Sequence, residues 1–284
     1  MNCRQPSYTS RRDFLNAIVG AATAAVLQRQ GFAVANAASL DSPPIEGLTD
    51  CGSLAAGTVI DGDTLILGDG SILRLVSIEA PKEALAGGDD AVAALAKQAR
   101  AALAKLTIGR RLRLYCDQNP TDRHRRRVAQ AADDSGRWLQ AEMLKLGLAR
   151  VHGQADHRLG LRELLQIEAA ARQAGLGLWS APAFALRRAD DPELIRLAGS
   201  FQIVTGKVLA AERKPDRGFI NFGMDRHVDL TLVLEKGALK LCDAANIAIE
   251  GLPDREVRCR GWVADYNGPN IEIAYPEQIE ILES

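Results

Sequence analysis

The stretch 57–81, GTVIDGDTLILGDGSILRLVSIEAP, constrains the fold of this chain more than any other. It holds three β-rich runs, Thr58–Ile60, Thr64–Leu67 and Ile72–Ile78, separated by the turn signals DGD and GDGS. Val, Ile, Leu and Thr suit pleated backbone, and Asp-Gly is a strong reversal signal, so a three-stranded meander is expected. The next segments can cover it. DDAVAALAKQARAALAKL places Val92, Leu95, Ala99, Leu103 and Leu106 on one helical stripe, with Asp89 or Asp90 as N-cap. RRLRLYCD alternates as a strand and RRRVAQAAD is a weaker one. WLQAEMLKLGLARV reads as a short helix stopped at Gly147, and LGLRELLQIEAAARQAGLGLW as a helix ended by Gly175. The order is β-β-β-α-β-β-α-α.

The chain has 284 residues, which allows one large or two modest domains, and its 47% hydrophobic content suffices for a core. Aromatic residues, at 5%, are too sparse for a wide stacking platform for single strands. At the start, Arg11-Arg12, an alanine-rich apolar run and Ala35-Asn36-Ala37 form the pattern of a twin-arginine export signal over 1–37. Its apolar run is too short for a membrane span. The mature protein is expected in the periplasm or secreted, cleaved near Ala37, without stable membrane insertion. Removing 1–37 takes four Arg and one Asp from 35 basic and 36 acidic side chains, leaving about −4. That excludes nucleic-acid binding driven by overall charge, and any polyanion contact must be local.

Residues 38–53 read as a linker, 54–180 as the first domain, 181–200 as a second linker and 201–284 as a β-rich domain. In the last, Phe201–Leu209, Phe219–Phe222, Val228–Leu234, Val257–Ala264, Ile271–Ala274 and Ile279–Leu282 are strand-like around one helix, which suggests a small barrel or sandwich. Cys51, Cys116, Cys242 and Cys259 remain after signal removal, available for disulfides in an oxidising compartment or as buried thiols. No C-x-x-C pair exists and the four histidines are scattered, so zinc is not expected.

Chemistry gathers at the strand ends of the first half. Asp61, Asp63 and Glu79 close short strands of one meander. A hard cation takes carboxylate and carbonyl oxygens, and Asp63, Glu79 and the Ala80 carbonyl could supply them. Arg74 leads into Glu79, and DRHRRRVA offers Arg123, Arg125, Arg126 and Arg127. Arginine grips phosphate bidentately, so paired carboxylates with two such arginines form the inventory of a metal-assisted phosphodiesterase.

The segments VIDGDTLIL, ILRLVSIEAPKE, TDRHRRRVA, GRWLQAEMLKLGLARV and the final GLGLW resemble the thermonuclease family, typified by staphylococcal nuclease, over about residues 54–180. The resemblance implies a five-stranded OB-fold barrel with three helices, α+β overall, and Ca²⁺-assisted hydrolysis of DNA and RNA phosphodiesters in flexible or single-stranded substrates. It further implies Asp63 and Glu79 as the metal carboxylates, Ala80 as a carbonyl ligand, and Arg74 and Arg126 as the arginines on the reacting phosphate. The family's general-base glutamate is replaced by Lys82, and His124-Arg125 stands for a commoner Tyr-Gly. A protonated lysine accepts no proton. Three readings stay open: Glu83, one residue on, serves as base; the metal activates water while Lys82 adds a phosphate contact; or the site binds without cutting. Ca²⁺-assisted nuclease activity, slow or altered by Lys82, is the primary expectation. The alternative is an impaired nucleic-acid- or protein-binding module of the cell envelope. The C-terminal part resembles β-rich extensions of some exported thermonuclease-like proteins, with Trp262 and Tyr266 as stacking candidates and a protein partner as its other role.

Overall fold

The computed structural model of the protein describes residues 45–117 and 119–282. The expected signal segment, 1–37, lies outside them. The first half contains β1 (Thr49–Asp61), β2 (Thr64–Leu67), β3 (Ile72–Leu75), the short β4 (Ile78–Glu79), α1 (Asp90–Thr107), β5 (Arg111–Cys116), β6 (Arg127–Asp133), α2 (Leu139–Lys145), β7 (Arg150–Val151) and α3 (Leu161–Gln173). Strands β1, β2, β3, β6 and β5 close a five-stranded OB-like barrel in that order. Only the β3–β6 pairing in it is parallel. The interior is filled by Leu65, Leu73, Leu75, Leu112 and Leu114, and the helices contribute Ala99, Leu103, Leu139, Met143, Leu144, Leu161 and Leu164. Each large apolar side chain buried in this way contributes roughly 1.5–3 kcal/mol. Of the α1 stripe, Ala99, Leu103 and Leu106 face this core while Val92 and Leu95 pack with Leu178 and Phe184, and Asp89 caps the helix by accepting from the Ala91 and Val92 amides.

Two strands differ from expectation. β1 begins at Thr49, inside the stretch expected as linker, because residues 49–55 pair with β5. The run expected over Ile72–Ile78 is broken at Ser77, whose φ of 70° lies in the left-handed region. The break turns Ile78 and Glu79 out of the barrel to pair with Val151 and Arg150.

The second half contains β8 (Arg187–Arg188), β9 (Phe201–Lys207), β10 (Ala210–Arg213), β11 (Arg217–Asn221), β12 (Thr231–Glu235), α4 (Lys236–Ala244), β13 (Glu256–Asp265), β14 (Pro269–Ile273) and β15 (Ile279–Ile281). They form an eight-stranded sheet ordered β10-β11-β12-β14-β13-β9-β8, with β15 on β13. It has its own core, including Val204, Leu232, Leu234, Val257, Val263 and Ile271. Residues 181–200, expected as a connection, carry β8 and two 3-10 turns and bury Phe184, Ala189 and Leu194. From Ile45 onward the described residues belong to one compact unit. Tyr275 of the second half packs in the barrel core, and Arg260 pairs with Glu168 of α3 at 2.9 Å.

Both expected fates of cysteine occur. Cys51 and Cys116 form a disulfide joining β1 to β5, while Cys242 and Cys259 are buried thiols. Burial pushes those thiols up to about 11 and about 12, which leaves them unreactive at neutral pH.

Candidate active site

The β1–β2 turn and the β3–β4 break converge on one end of the barrel. Gly62, between the two aspartates, packs so closely that an added Cβ would meet the Ala80 and Ala99 methyls at 2.6 Å. This approach brings Asp63, which is fully buried, beneath the Glu79-Ala80-Pro81-Lys82 segment. Asp63 Oδ2 accepts from the Ala80 amide at 2.7 Å, and Oδ1 accepts from the Thr64 hydroxyl at 2.9 Å and from Lys82 Nζ at 2.6 Å. Arg74 Nη1 lies 3.3 Å from the same Oδ1. Arg74 Nη2 donates to Glu79 Oε2 at 2.7 Å and to the Ile78 carbonyl at 2.7 Å. Lys82 Nζ also sits 3.1 Å from Asp61 Oδ2 and 4.0 Å from Glu79 Oε1. Three carboxylates therefore surround two cations.

The electrostatics result from this packing. Burial alone would raise the Asp63 carboxyl, but Arg74 and then Lys82 outweigh it and hold the group at about 2. Glu79 is likewise lowered: its burial is overcome by the neighbouring His152 and by Arg74. His152 Nδ1 stands 3.7 Å from Glu79 Oε2. Asp61 goes the other way, raised by burial and by its neighbour Asp63, with Lys82 opposing.

The other expected residues divide between this cluster and its surroundings. Ala80 contributes its amide to Asp63 and is buried. Glu83 is exposed and opens the 3-10 turn Glu83–Leu85, outside the cluster. Arg126 precedes β6, and its Nε donates to Asp122 Oδ2 at 2.7 Å. Asp122 organises that whole loop, its Oδ1 accepting from the His124 and Arg126 amides at 2.9 Å each. Arg123, His124 and Arg125 project from it, exposed. Arg74 is paired with Val128 across the parallel β3–β6 ladder, two residues beyond Arg126. Asp61 and His152 join the site although neither belonged to the expected set. Asp61 was visible as a strand-end carboxylate. His152 had no local signal, because the pairing of β4 with β7 brings it there.

Ca²⁺ takes six to eight oxygen ligands at 2.3–2.6 Å. The arrangement does not fit it. Both Asp63 oxygens and Glu79 Oε2 already accept from protein donors, and the Lys82 ammonium stands between Asp61 and Asp63. Among the described residues no group of three His, Cys, Asp or Glu side chains is arranged to hold a metal ion.

Residues 72–181 match the family described as Staphylococcal nuclease homologue. This nuclease-like domain takes in Arg74, Glu79, Lys82 and Arg126, and its match begins after the turn that carries Asp61 and Asp63. With the closed barrel, the match makes the first half similar to modules of the nuclease type. No curated protein matches the chain. Among the described residues no helix is long and apolar enough to cross a membrane.

Proposed function

We propose that the nuclease-like domain is a nucleic-acid-binding module whose hydrolytic centre is closed by its own lysine. The observation that carries this is Lys82 Nζ at 2.6 Å from Asp63 and 3.1 Å from Asp61. An ammonium there supplies the positive charge that the carboxylates would otherwise seek from a divalent cation, and it occupies their oxygens. It also leaves no carboxylate in the position expected of a general base, since Glu83 is turned outward to solvent. Binding then rests on the loop before β6, where Arg123, His124 and Arg125 are exposed and suited to phosphate oxygens of a flexible strand.

Export belongs to the same reading. The Cys51–Cys116 disulfide supports it, because such bonds persist in oxidising compartments. The second sheet serves this module by completing its core and one wall of its site.

The test is an assay of the purified chain on single-stranded DNA and RNA, with Ca²⁺ or with a chelator, beside Lys82→Ala. The expected result is binding with little cleavage by the natural chain in either condition, and a Ca²⁺-dependent gain in cleavage for Lys82→Ala. Rapid Ca²⁺-dependent cleavage by the natural chain, abolished by Arg126→Ala, would instead establish an open metal-assisted nuclease.

A further inference from the structure

A cavity of about 270 Å³ adjoins the carboxylate cluster, and the second half of the chain builds one side of it. Glu79 and Lys82 lie on the barrel side; Phe184, Phe201, Gln202 and Trp262 lie on the other. Arg150 also lines it, a buried cation with no counter-ion among the described residues. Its guanidinium is sandwiched between the Phe184 and Phe201 rings, 5.0 and 4.8 Å from their centroids. Its Nη1 donates to the Phe201 carbonyl at 3.0 Å, and its Nε is buried with no partner among the described residues.

The carboxylates nearby are spent elsewhere. Glu79 is held by Arg74. Glu168 is held by Arg260 at 2.9 Å and Arg172 at 3.2 Å, and Glu280 by Arg260 at 2.6 Å and Arg258 at 3.2 Å. Arg172, Arg258 and Arg260 therefore take up Glu168 and Glu280, and Arg150 pairs with neither. Burial pulls the Arg150 guanidinium down to about 10, which Glu168 and Glu79 counter incompletely. A buried charge of this kind is costly until an anion meets it.

The opposite wall selects what carries the anion. Trp262 is 44% exposed and stands edge-to-face with Phe201, ring centroids 6.1 Å apart, with His152 against both. An exposed indole lining the same cavity as a buried cation suits a flat heterocycle bearing a phosphate. We infer that this cavity binds a phosphorylated nucleoside, either a free mononucleotide or the phosphate-bearing end of a strand. The phosphate meets Arg150 and the base lies on Trp262. This deepens the nucleic-acid reading above and rests on it for the choice of heterocycle.

Calorimetric titration of the full chain tests it, with AMP, adenosine and inorganic phosphate as probes. A second arm compares an oligonucleotide with and without a 5′ phosphate. The expected result is AMP binding at least tenfold tighter than adenosine or phosphate, weakened at least tenfold by Trp262→Ala and by Arg150→Met. Circular dichroism verifies that each variant is folded, and Trp262→Ala, at an exposed side chain, provides the comparison if Arg150→Met is not. A preference for the phosphorylated oligonucleotide, with weak AMP binding, assigns the cavity to strand ends. The inference is overturned if AMP binds no better than adenosine and the 5′ phosphate adds nothing, or if the folded variants bind like the natural chain. In that event, strand binding that depends on Arg123 and Arg125 leaves the nucleic-acid reading standing. Tight AMP binding without any strand binding preserves the cavity and defeats that reading.

Discussion

Asp63 and Lys82 set the chemistry of the site as a pair. The folded-state carboxyl of Asp63, held at about 2 against an ordinary 3.8, binds fewer protons than the unfolded chain. Its contribution, about 2 kcal/mol, is fully present above roughly pH 4 and is lost as the pH falls through about 2. Asp61, raised by burial and by Asp63, contributes the opposite slope above its unfolded value. Lys82→Ala removes one of the two cations that lower Asp63, so acid unfolding followed by circular dichroism should shift to higher pH. An unmoved or lower midpoint would contradict the pairing. At neutral pH the same variant should lose roughly 1–3 kcal/mol of stability, since it strips a charged donor from a buried carboxylate. Added Ca²⁺ should recover part of that in a thermal melt of the variant and leave the natural chain's melt unchanged. Arg125, at φ 62°, occupies a left-handed position where the resembling family commonly has glycine. Arg125→Gly should relieve about 1 kcal/mol of backbone strain while weakening strand binding, separable by melting and binding measurements.

Two elements carry the architecture of the site. The break at Ser77 takes Glu79 out of β3 and gives it to the β4–β7 pair, which is why Arg74, Glu79 and His152 meet at all. The Cys51–Cys116 disulfide closes 65 residues of sequence, a span that includes every carboxylate of the cluster. By the chain-entropy argument such a closure contributes about 4 kcal/mol. Reduction, or Cys51→Ser with Cys116→Ser, should therefore lower the denaturant midpoint by a corresponding few kcal/mol. A change below about 1 kcal/mol would mean that the β1–β5 ladder holds by itself.

Over the whole molecule the two halves are packed as one unit. A chain truncated after Ser180 loses Arg260, which compensates fully buried Glu168, and Tyr275, which packs into the barrel core. Glu168 then keeps Arg172 at 3.2 Å but loses its fully buried partner, a loss of up to about 3 kcal/mol. The truncated chain is expected to have lost near-UV circular dichroism and cooperative melting. A sharp, native-like transition would show that the barrel needs no second half.

Much of this was legible from residue order. The meander, the α1 stripe with its Asp89 cap and the helix stops at Gly147 and Gly175 are local signals, set by side-chain periodicity and turn geometry. The strand-end placement of Asp63 and Glu79, and of Arg74 within the strand before Glu79, was legible for the same reason. What alternation could not reveal was a left-handed residue inside an apolar run, or a strand as short as β4. The sequence by itself determined the barrel's strands and which carboxylates lie at their ends. Tertiary structure alone decided that Lys82 points into those carboxylates, that Arg126 is held by Asp122, and that Arg150, with no ion pair among the described residues, lines one cavity with Trp262. Each of these depends on charge partners distant in sequence or on a loop's path, and a buried charge is settled by what surrounds it in space.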